Sequence, residues 1–260
     1  LPNGLAFDVD GSILISNFGT DRLERMTRDG ETSIVLDTID GTPIGKVNFV
    51  LRDSRGRIWL TISTRIRNWM RAISPNIADG YVAVLDENGA RIVADGFHFT
   101  NEIRFDAHEE WLYVVETTAR RITRLRIGEG ARVEEREIFG PADTGGFIDG
   151  IAFDAYGNLW GTHVMSDRIF ALTPHGEMRI ILDDDRPEPS QRLYEAFARD
   201  EATPELMLAC GGEIAPWFAS VTFGGPDLRN VYIGSLRGTR IPWFRAPVAG
   251  LPMAHWPKAR

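Results

Sequence analysis

Short runs of alternating apolar and polar residues, broken by Asp-Gly, Asn-Gly and similar steps, recur along this chain. They predict strands joined by tight turns. Asn3-Gly-Leu-Ala-Phe-Asp8 runs into Asp10-Gly11 and Ile13-Leu14-Ile15, and Asn48-Phe-Val-Leu-Arg-Asp53 runs into Gly56 and Ile58-Trp59-Leu60. Asn101-Glu-Ile-Arg-Phe-Asp106 precedes Trp111-Leu112-Tyr113-Val114, and Asp149-Gly-Ile-Ala-Phe-Asp154 precedes Gly157 and Leu159-Trp160. Ser220-Val-Thr-Phe-Gly-Gly225 precedes Asp227-Leu228 and Val231-Tyr232-Ile233. Four of the five units place an Asp five residues after their leading polar residue, and the leads are 45, 53, 48 and 71 residues apart.

Further alternating stretches follow in most units, at 22–26 and 33–36, 81–85 and 90–94, 121–127 and 133–138, and 168–172 and 178–182. Four strands per unit of this size predict the blades of a β-propeller. A sandwich built from similar hairpins does not explain why one lead motif returns.

Two segments interrupt the pattern within what reads as a single domain over 1–260. Residues 63–79 carry Trp69, Met70, Arg65, Arg67 and Arg71, and are expected either to pack on the scaffold or to form a lid over the propeller mouth. Residues 187–213 contain Leu193, Ala196 and Phe197 at helical spacing and predict a helical insertion packed on the scaffold.

Composition narrows the partners. Among 260 residues, 29 Lys and Arg face 37 Asp and Glu, a formal net charge of −8. That balance argues against nucleic acid or an anionic membrane surface, which require concentrated positive charge. Cys210 has no intrachain disulfide partner, and no apolar run approaches the roughly 20 residues of a membrane span. A cytoplasmic protein acting on a small molecule is the expectation, with no indication of its oligomeric state. The start, Leu1-Pro2, lacks Met and falls directly on a lead motif, so a trimmed N-terminus is expected.

The lead motifs and their order resemble the SMP-30/gluconolactonase/luciferin-regenerating-enzyme-like (LRE-like) family. The residues that carry the resemblance are Pro2 to Asp8, Asn48 ahead of Gly56-Arg57-Ile58-Trp59, Asn101 ahead of Leu112 to Thr117, Ile148-Asp149-Gly150, and Phe223 to Leu228. The resemblance implies an all-β, six-bladed propeller holding one divalent cation on its axis, most commonly Ca²⁺, with Zn²⁺, Mg²⁺ or Mn²⁺ as alternatives. It also implies hydrolysis of sugar lactones or related cyclic esters. By the same resemblance Asn101 and Asp149 are metal ligands, and Asn48 is a polar contact to metal, bound water or substrate. Three features depart from the family. The blade carrying its Glu-Gly-Pro motif is not seen, so the first blade is expected to be incomplete or missing. The steps after two leads read Asn48-Phe49 and Asn101-Glu102, and the basic residue before Asn48 is Lys46. A pocket unlike that of a typical sugar lactonase is therefore expected.

A propeller turns the first strand of every blade toward one channel, so lead residues far apart in sequence converge. Asn48, Asn101 and Asp149 then form a ring of oxygen atoms, which suits a hard cation better than zinc. Asp149 is the candidate to take a proton from water, with Asn101 beside it at the reacting carbonyl. Lys46, His98 and His163 join Asn48 as candidate substrate contacts, and for both histidines a structural role is the alternative. Asn3 is expected to be a turn or channel-lining amide, Glu102 to pack between blades against an Arg, and Glu116 to pair with Arg120 or Arg121. Trp59, Trp111 and Trp160 are expected in the inter-blade core, and His108, His175 and His255 receive no role.

These expectations support a metal-dependent lactone or ester hydrolase. The alternatives are a lyase, hydratase or isomerase that stabilises an enolate on the same scaffold, and a non-enzymatic propeller that binds a ligand at its mouth.

Overall fold

The computed structural model describes residues 1–253, so His255 lies outside the described residues. These residues form a β-propeller of five blades. Blade one contains β1 (Pro2–Phe7), β2 (Ile13–Asn17), β3 (Arg22–Met26) and β4 (Thr32–Leu36), followed by a small hairpin of β5 (Thr38–Ile39) and β6 (Thr42–Pro43). Blade two contains β7 (Val47–Arg52), β8 (Ile58–Ile62), β9 (Gly80–Asp86) and β10 (Gly89–Phe97). Blade three contains β11 (Thr100–Phe105), β12 (Trp111–Glu116), β13 (Arg121–Ile127) and β14 (Val133–Phe139). Blade four contains β15 (Phe147–Phe153), β16 (Leu159–Val164), β17 (Arg168–Leu172) and β18 (Met178–Asp183). Helices α1 (Pro187–Ala198) and α2 (Pro204–Ala209) lead to a three-stranded fifth blade, β19 (Phe218–Gly224), β20 (Asn230–Ser235) and β21 (Trp243–Arg245).

Strands within each blade pair antiparallel in chain order, and the inner strands β1, β7, β11, β15 and β19 lie against one another in succession. Apolar residues fill the wedge between each successive pair of blades. Three of these wedges contain an edge-to-face aromatic pair: Trp59 on Phe105 at 5.3 Å, Tyr113 on Phe153 at 5.0 Å, and Trp160 on Phe223 at 5.2 Å. Such pairs add ~1 kcal/mol beyond the area they bury. Trp111 is half-buried and lies under the Arg124 guanidinium. Among the described residues no comparable core joins blade five to blade one, and Leu5 of β1 is 56% exposed. The described residues thus form five blades, one for each of the five repeat units in the sequence.

The repeated Asp has a structural task. Asp53 accepts from the backbone N–H groups of Arg55 and Arg57 and from the indole of Trp59 at 2.8 Å. Asp154 repeats this with Tyr156, Asn158 and Trp160, at 3.1 Å to the indole. One carboxylate therefore closes the turn and satisfies the buried Trp N–H of the next strand. No helix among the described residues is long and apolar enough to cross a membrane.

Candidate active site at the mouth of the channel

The strands that carry the lead residues are not regular. The pairing of the inner strand with its neighbour shifts between Pro2 and Leu5, Val47 and Phe49, Thr100 and Ile103, and Ile148 and Ile151. Asn3, Asn48, Asn101 and Asp149 each fall in such a bulge, which breaks the two-residue alternation and re-aims the side chain.

Two of these side chains are tethered alike. The amide nitrogen of Asn48 donates to Ser63 Oγ at 3.0 Å, and Ser63 donates to the carbonyl of Thr100 at 2.8 Å. Likewise, the amide nitrogen of Asn101 donates to Thr117 Oγ1 at 3.1 Å, and Thr117 donates to the carbonyl of Ile148 at 2.7 Å. A hydroxyl has one hydrogen, here directed at a carbonyl, so each Asn must donate and its Oδ1 faces away from the tether. Thr100 and Ile148 immediately precede Asn101 and Asp149. Each tether therefore links one blade's lead to the start of the next, and the Asn101 side chain also hydrogen-bonds Asp149.

The residue after each lead reaches the next blade. A Cβ on Gly4 would fall 2.7 Å from the Phe49 Cα, and one on Gly150 would fall 2.5 Å from the Ser220 Cα, so only glycine allows these approaches. Phe49 lies under the Arg104 guanidinium at 4.6 Å. Buried Glu102 accepts from the backbone N–H of Ile151 at 3.0 Å and pairs with Arg104 at 3.3 Å. Burial raises the Glu102 carboxyl above its ordinary range, against the pull of Arg104 and the Ile151 N–H. Asp149 is pushed up to about 8, first by burial and then by the Glu102 charge, with the Asn101 hydrogen bond opposing.

Two candidate substrate contacts have partners within the protein. Buried Lys46 places its ammonium 2.7 Å from Asp21 Oδ1 and 3.4 Å from the Phe18 carbonyl, so its charge is neutralised within the protein. His163 is 1% exposed, stacked on Phe170 at 4.7 Å, with Nε2 3.0 Å from Thr144 Oγ1. Thr144 donates to the Arg120 carbonyl, so His163 donates through Nε2, and its buried Nδ1 has no partner. Burial lowers its pKa to about 3, with the Arg168 and Arg120 charges adding to the effect. His163 is enclosed in the core as a neutral imidazole. His98 is half-buried at the corner between β10 and β11, and its Nδ1 is buried without a partner. Glu116 pairs with Arg121 at 2.9 Å and accepts from the His98 backbone N–H at 3.0 Å.

Residues 63–79 extend from blade two to three other parts of the molecule. Trp69 meets Phe18 of blade one edge-on at 5.8 Å and Phe99, just ahead of blade three, at 6.3 Å. Met70 and Ile73 pack into the cluster of Phe147, Met165, Leu193 and Phe197 around α1, and Asn76 donates to Asp200 at 3.4 Å. At the opposite end of the inner strands lies a cavity of about 900 Å³, lined by Arg52, Arg104, Phe105, Phe153, Phe223 and Leu251 among others. None of the lead residues lines it.

The donor set at the mouth is all oxygen. No three His, Cys, Asp or Glu side chains converge among the described residues. Asp149 with the amide oxygens of Asn48 and Asn101 would suit a hard cation of low affinity. The raised Asp149 carboxyl points the same way, because burial and the Glu102 charge act on it with only the Asn101 hydrogen bond opposing. Sequence reasoning missed Ser63 and Thr117. Their one signal was a hydroxyl residue directly after the second strand of two successive blades.

Residues 2–185 match the family described as the SMP-30/gluconolactonase/LRE-like region, and the chain belongs to that family. It is similar to the 6-deoxy-6-sulfogluconolactonase of Pseudomonas putida, with 26% identity over 156 residues. That match covers 59% of this chain and 44% of the relative, so the similarity spans less than half of the relative's length. A solved structure assigned as a gluconolactonase superposes with a TM-score of 0.71 at 19% identity, covering 96% of this chain and 76% of the other. A gluconolactonase from Xanthomonas campestris gives 0.67 at 20% identity, covering 93% and 70%. At these identities the structural likeness shows the propeller fold alone.

Proposed function

We propose that this protein hydrolyses lactones at the mouth of its propeller channel. The observation that carries the reading is the pair of tethered lead residues, Asn48 and Asn101, the second hydrogen-bonded to Asp149, a carboxyl whose pKa is pushed up to about 8. A cation on Asp149 would lower this value, so the carboxylate takes a proton from the attacking water only where it is loosely held. Asp149 takes the proton of the attacking water as its oxygen bonds to the lactone carbonyl carbon. The proton then passes to the ring oxygen as the acyl–oxygen bond breaks, leaving a hydroxy acid. Asn101, fixed by Thr117, holds its amide against Asp149 and orients the carboxyl, and Asn48 fixes the neighbouring polar wall. A hard divalent cation on the oxygens of Asn48, Asn101 and Asp149, with Ca²⁺ the best fit, would supply Lewis-acid polarisation of the carbonyl.

The family relationship and the sulfogluconolactonase relative support this reaction class. Residues 63–79 act as the lid, a reading supported by their contacts with blades one, three and the α1 cluster. A sixth blade between blades five and one is supported by the absence of a core there among the described residues, and by exposed Leu5. Acid release from a lactone panel, followed at constant pH with and without EDTA, tests the proposal. Turnover abolished by chelator and restored by Ca²⁺ is expected, and chelator-insensitive turnover contradicts the metal.

One observation favours a second reading, a propeller that binds a ligand without converting it. The cavity of about 900 Å³ at the other end is within the usual range for small-molecule sites. A ligand that binds there with no lactone turnover by the protein would favour that reading.

A further inference from the structure

We propose that the cavity at the far end of the inner strands is a second binding site, for a small apolar molecule that carries a carboxylate. The inference gives a ligand class to the cavity of the second reading, and it holds whether or not the mouth hydrolyses a lactone. Arg52 closes β7 and Arg104 lies next to the end of β11, so neighbouring inner strands bring two guanidiniums to one space of about 900 Å³. Both side chains are largely buried, at 16% and 14% exposure.

The acceptors around these guanidiniums are few. Asp8 places one oxygen 2.8 Å from Arg52 Nη1 and the other 3.6 Å from Arg25 Nε, so one carboxylate serves two cations. Glu102 pairs with Arg104 at 3.3 Å through the same oxygen that accepts the Ile151 N–H. Arg104 Nη1 donates to the Ile103 carbonyl at 3.2 Å. A guanidinium has five N–H donors, and Nε of both Arg52 and Arg104 is buried without a hydrogen-bond partner among the described residues. A buried donor left unmade costs stability, and the planar fork of a guanidinium matches a carboxylate in shape and charge.

The remaining charged groups on the wall are held elsewhere. Asp106 accepts from the backbone N–H groups of Glu110 and Trp111 at 2.9 and 3.3 Å. Glu109 accepts from the N–H and hydroxyl of Ser54 at 2.8 and 2.6 Å. Neither carboxylate pairs with Arg52 or Arg104, and His108 is exposed on the same turn. Phe105, Phe153 and Phe223 bring aromatic surface from three successive blades, and Leu251 adds to it. A few convergent polar groups on an apolar wall are the pattern of a small-molecule site. An aryl carboxylate meets both halves of this wall, whereas inorganic phosphate would leave the aromatic half uncovered.

Calorimetry with 2-naphthoate and with the neutral 2-naphthamide tests the inference on the wild-type protein, Arg52→Gln, Thr222→Phe and Asp149→Asn. Thr222 also lines the cavity, and Phe in its place fills part of the space. EDTA is present throughout, so that no cation at the mouth holds the carboxylate. The expected result is one naphthoate per chain, bound at least about tenfold more tightly than naphthamide. That affinity is expected to fall about tenfold or more in Arg52→Gln and in Thr222→Phe, and to be unchanged in Asp149→Asn. Should either cavity variant fail to fold, the other decides. Equal affinity for acid and amide, or naphthoate binding that both cavity variants leave intact, overturns the inference. So does an absence of binding, or a loss confined to Asp149→Asn, which would put the ligand at the mouth. None of these results bears on lactone turnover, so the lactonase reading stands or falls separately.

Discussion

The amide nitrogen of Asn101 donates to Thr117 Oγ1 at 3.1 Å, and this bond decides which way the asparagine oxygen faces. Thr117 can only accept from Asn101, because its own hydrogen goes to the Ile148 carbonyl. Thr117→Val removes the tether, leaves that carbonyl unsatisfied and frees the amide to rotate. Stability is expected to fall by ~1–3 kcal/mol. The kcat for lactone hydrolysis is expected to fall ~10-fold or more, because a small misplacement of a reacting group is costly. Thr117→Ser is expected to recover both. Steady-state kinetics and urea unfolding check these outcomes.

His163 makes stability depend on acid. Its pKa in the fold is about 3 against an ordinary 6.5, so between those values the unfolded chain binds the extra proton. The stabilising contribution is therefore complete above about pH 6.5 and is lost as pH falls toward 3, by up to ~4 kcal/mol. His163→Gln is expected to flatten this part of the curve. Thermal unfolding from pH 3 to 7 reports it, and an unchanged slope would contradict the buried neutral imidazole.

Asp149 acts with the opposite sign. A carboxyl pushed up from 3.8 to about 8 favours the folded state below the lower value, and that favour is lost as pH rises through the upper one. Asp149→Asn is expected to be more stable than the wild type at pH 8 by roughly 2–4 kcal/mol, discounted for partial solvent access at the mouth. At pH 4 the two proteins should unfold alike. Calorimetry at both pH values makes the comparison.

Asp154 closes its turn and accepts from the Trp160 indole, with no part in the proposed chemistry. Asp154→Ala leaves a buried N–H unsatisfied and should cost ~2–4 kcal/mol. KM for a lactone should be unchanged in the folded protein. A specific loss of kcat without loss of stability would show that the carboxyl does more.

Much of the scaffold was readable in advance. The stretches at 22–26, 121–127 and 168–172 coincide with β3, β13 and β17, because alternation and turn residues are local properties. The recurring Asp read correctly as a turn residue. Its bond to the following Trp needed the register of the hairpin, which a list of residue types does not contain. The bulges were invisible for a related reason, since a one-residue shift leaves the hydrophobic pattern almost intact. Glu102 packs between blades against Arg104 and the Ile151 N–H, and what its position in the sequence did not show is that its charge also acts on Asp149. The pairing of Lys46 with Asp21 crosses between blades, and no spacing rule relates those two positions. For His163 the sequence left substrate contact and a structural role both open, and the packing of Phe170 and Thr144 shows that it is enclosed.

The central claim, that the lead side chains of successive blades form one reacting centre, is tested most directly by the kcat of Asp149→Asn on a lactone that the wild-type protein hydrolyses. The substitution keeps the size and shape of the side chain while removing its ability to take a proton. A fall of at least ~100-fold in a protein with wild-type circular dichroism is the predicted result. A kcat equal to that of the wild type would place the chemistry elsewhere on the propeller.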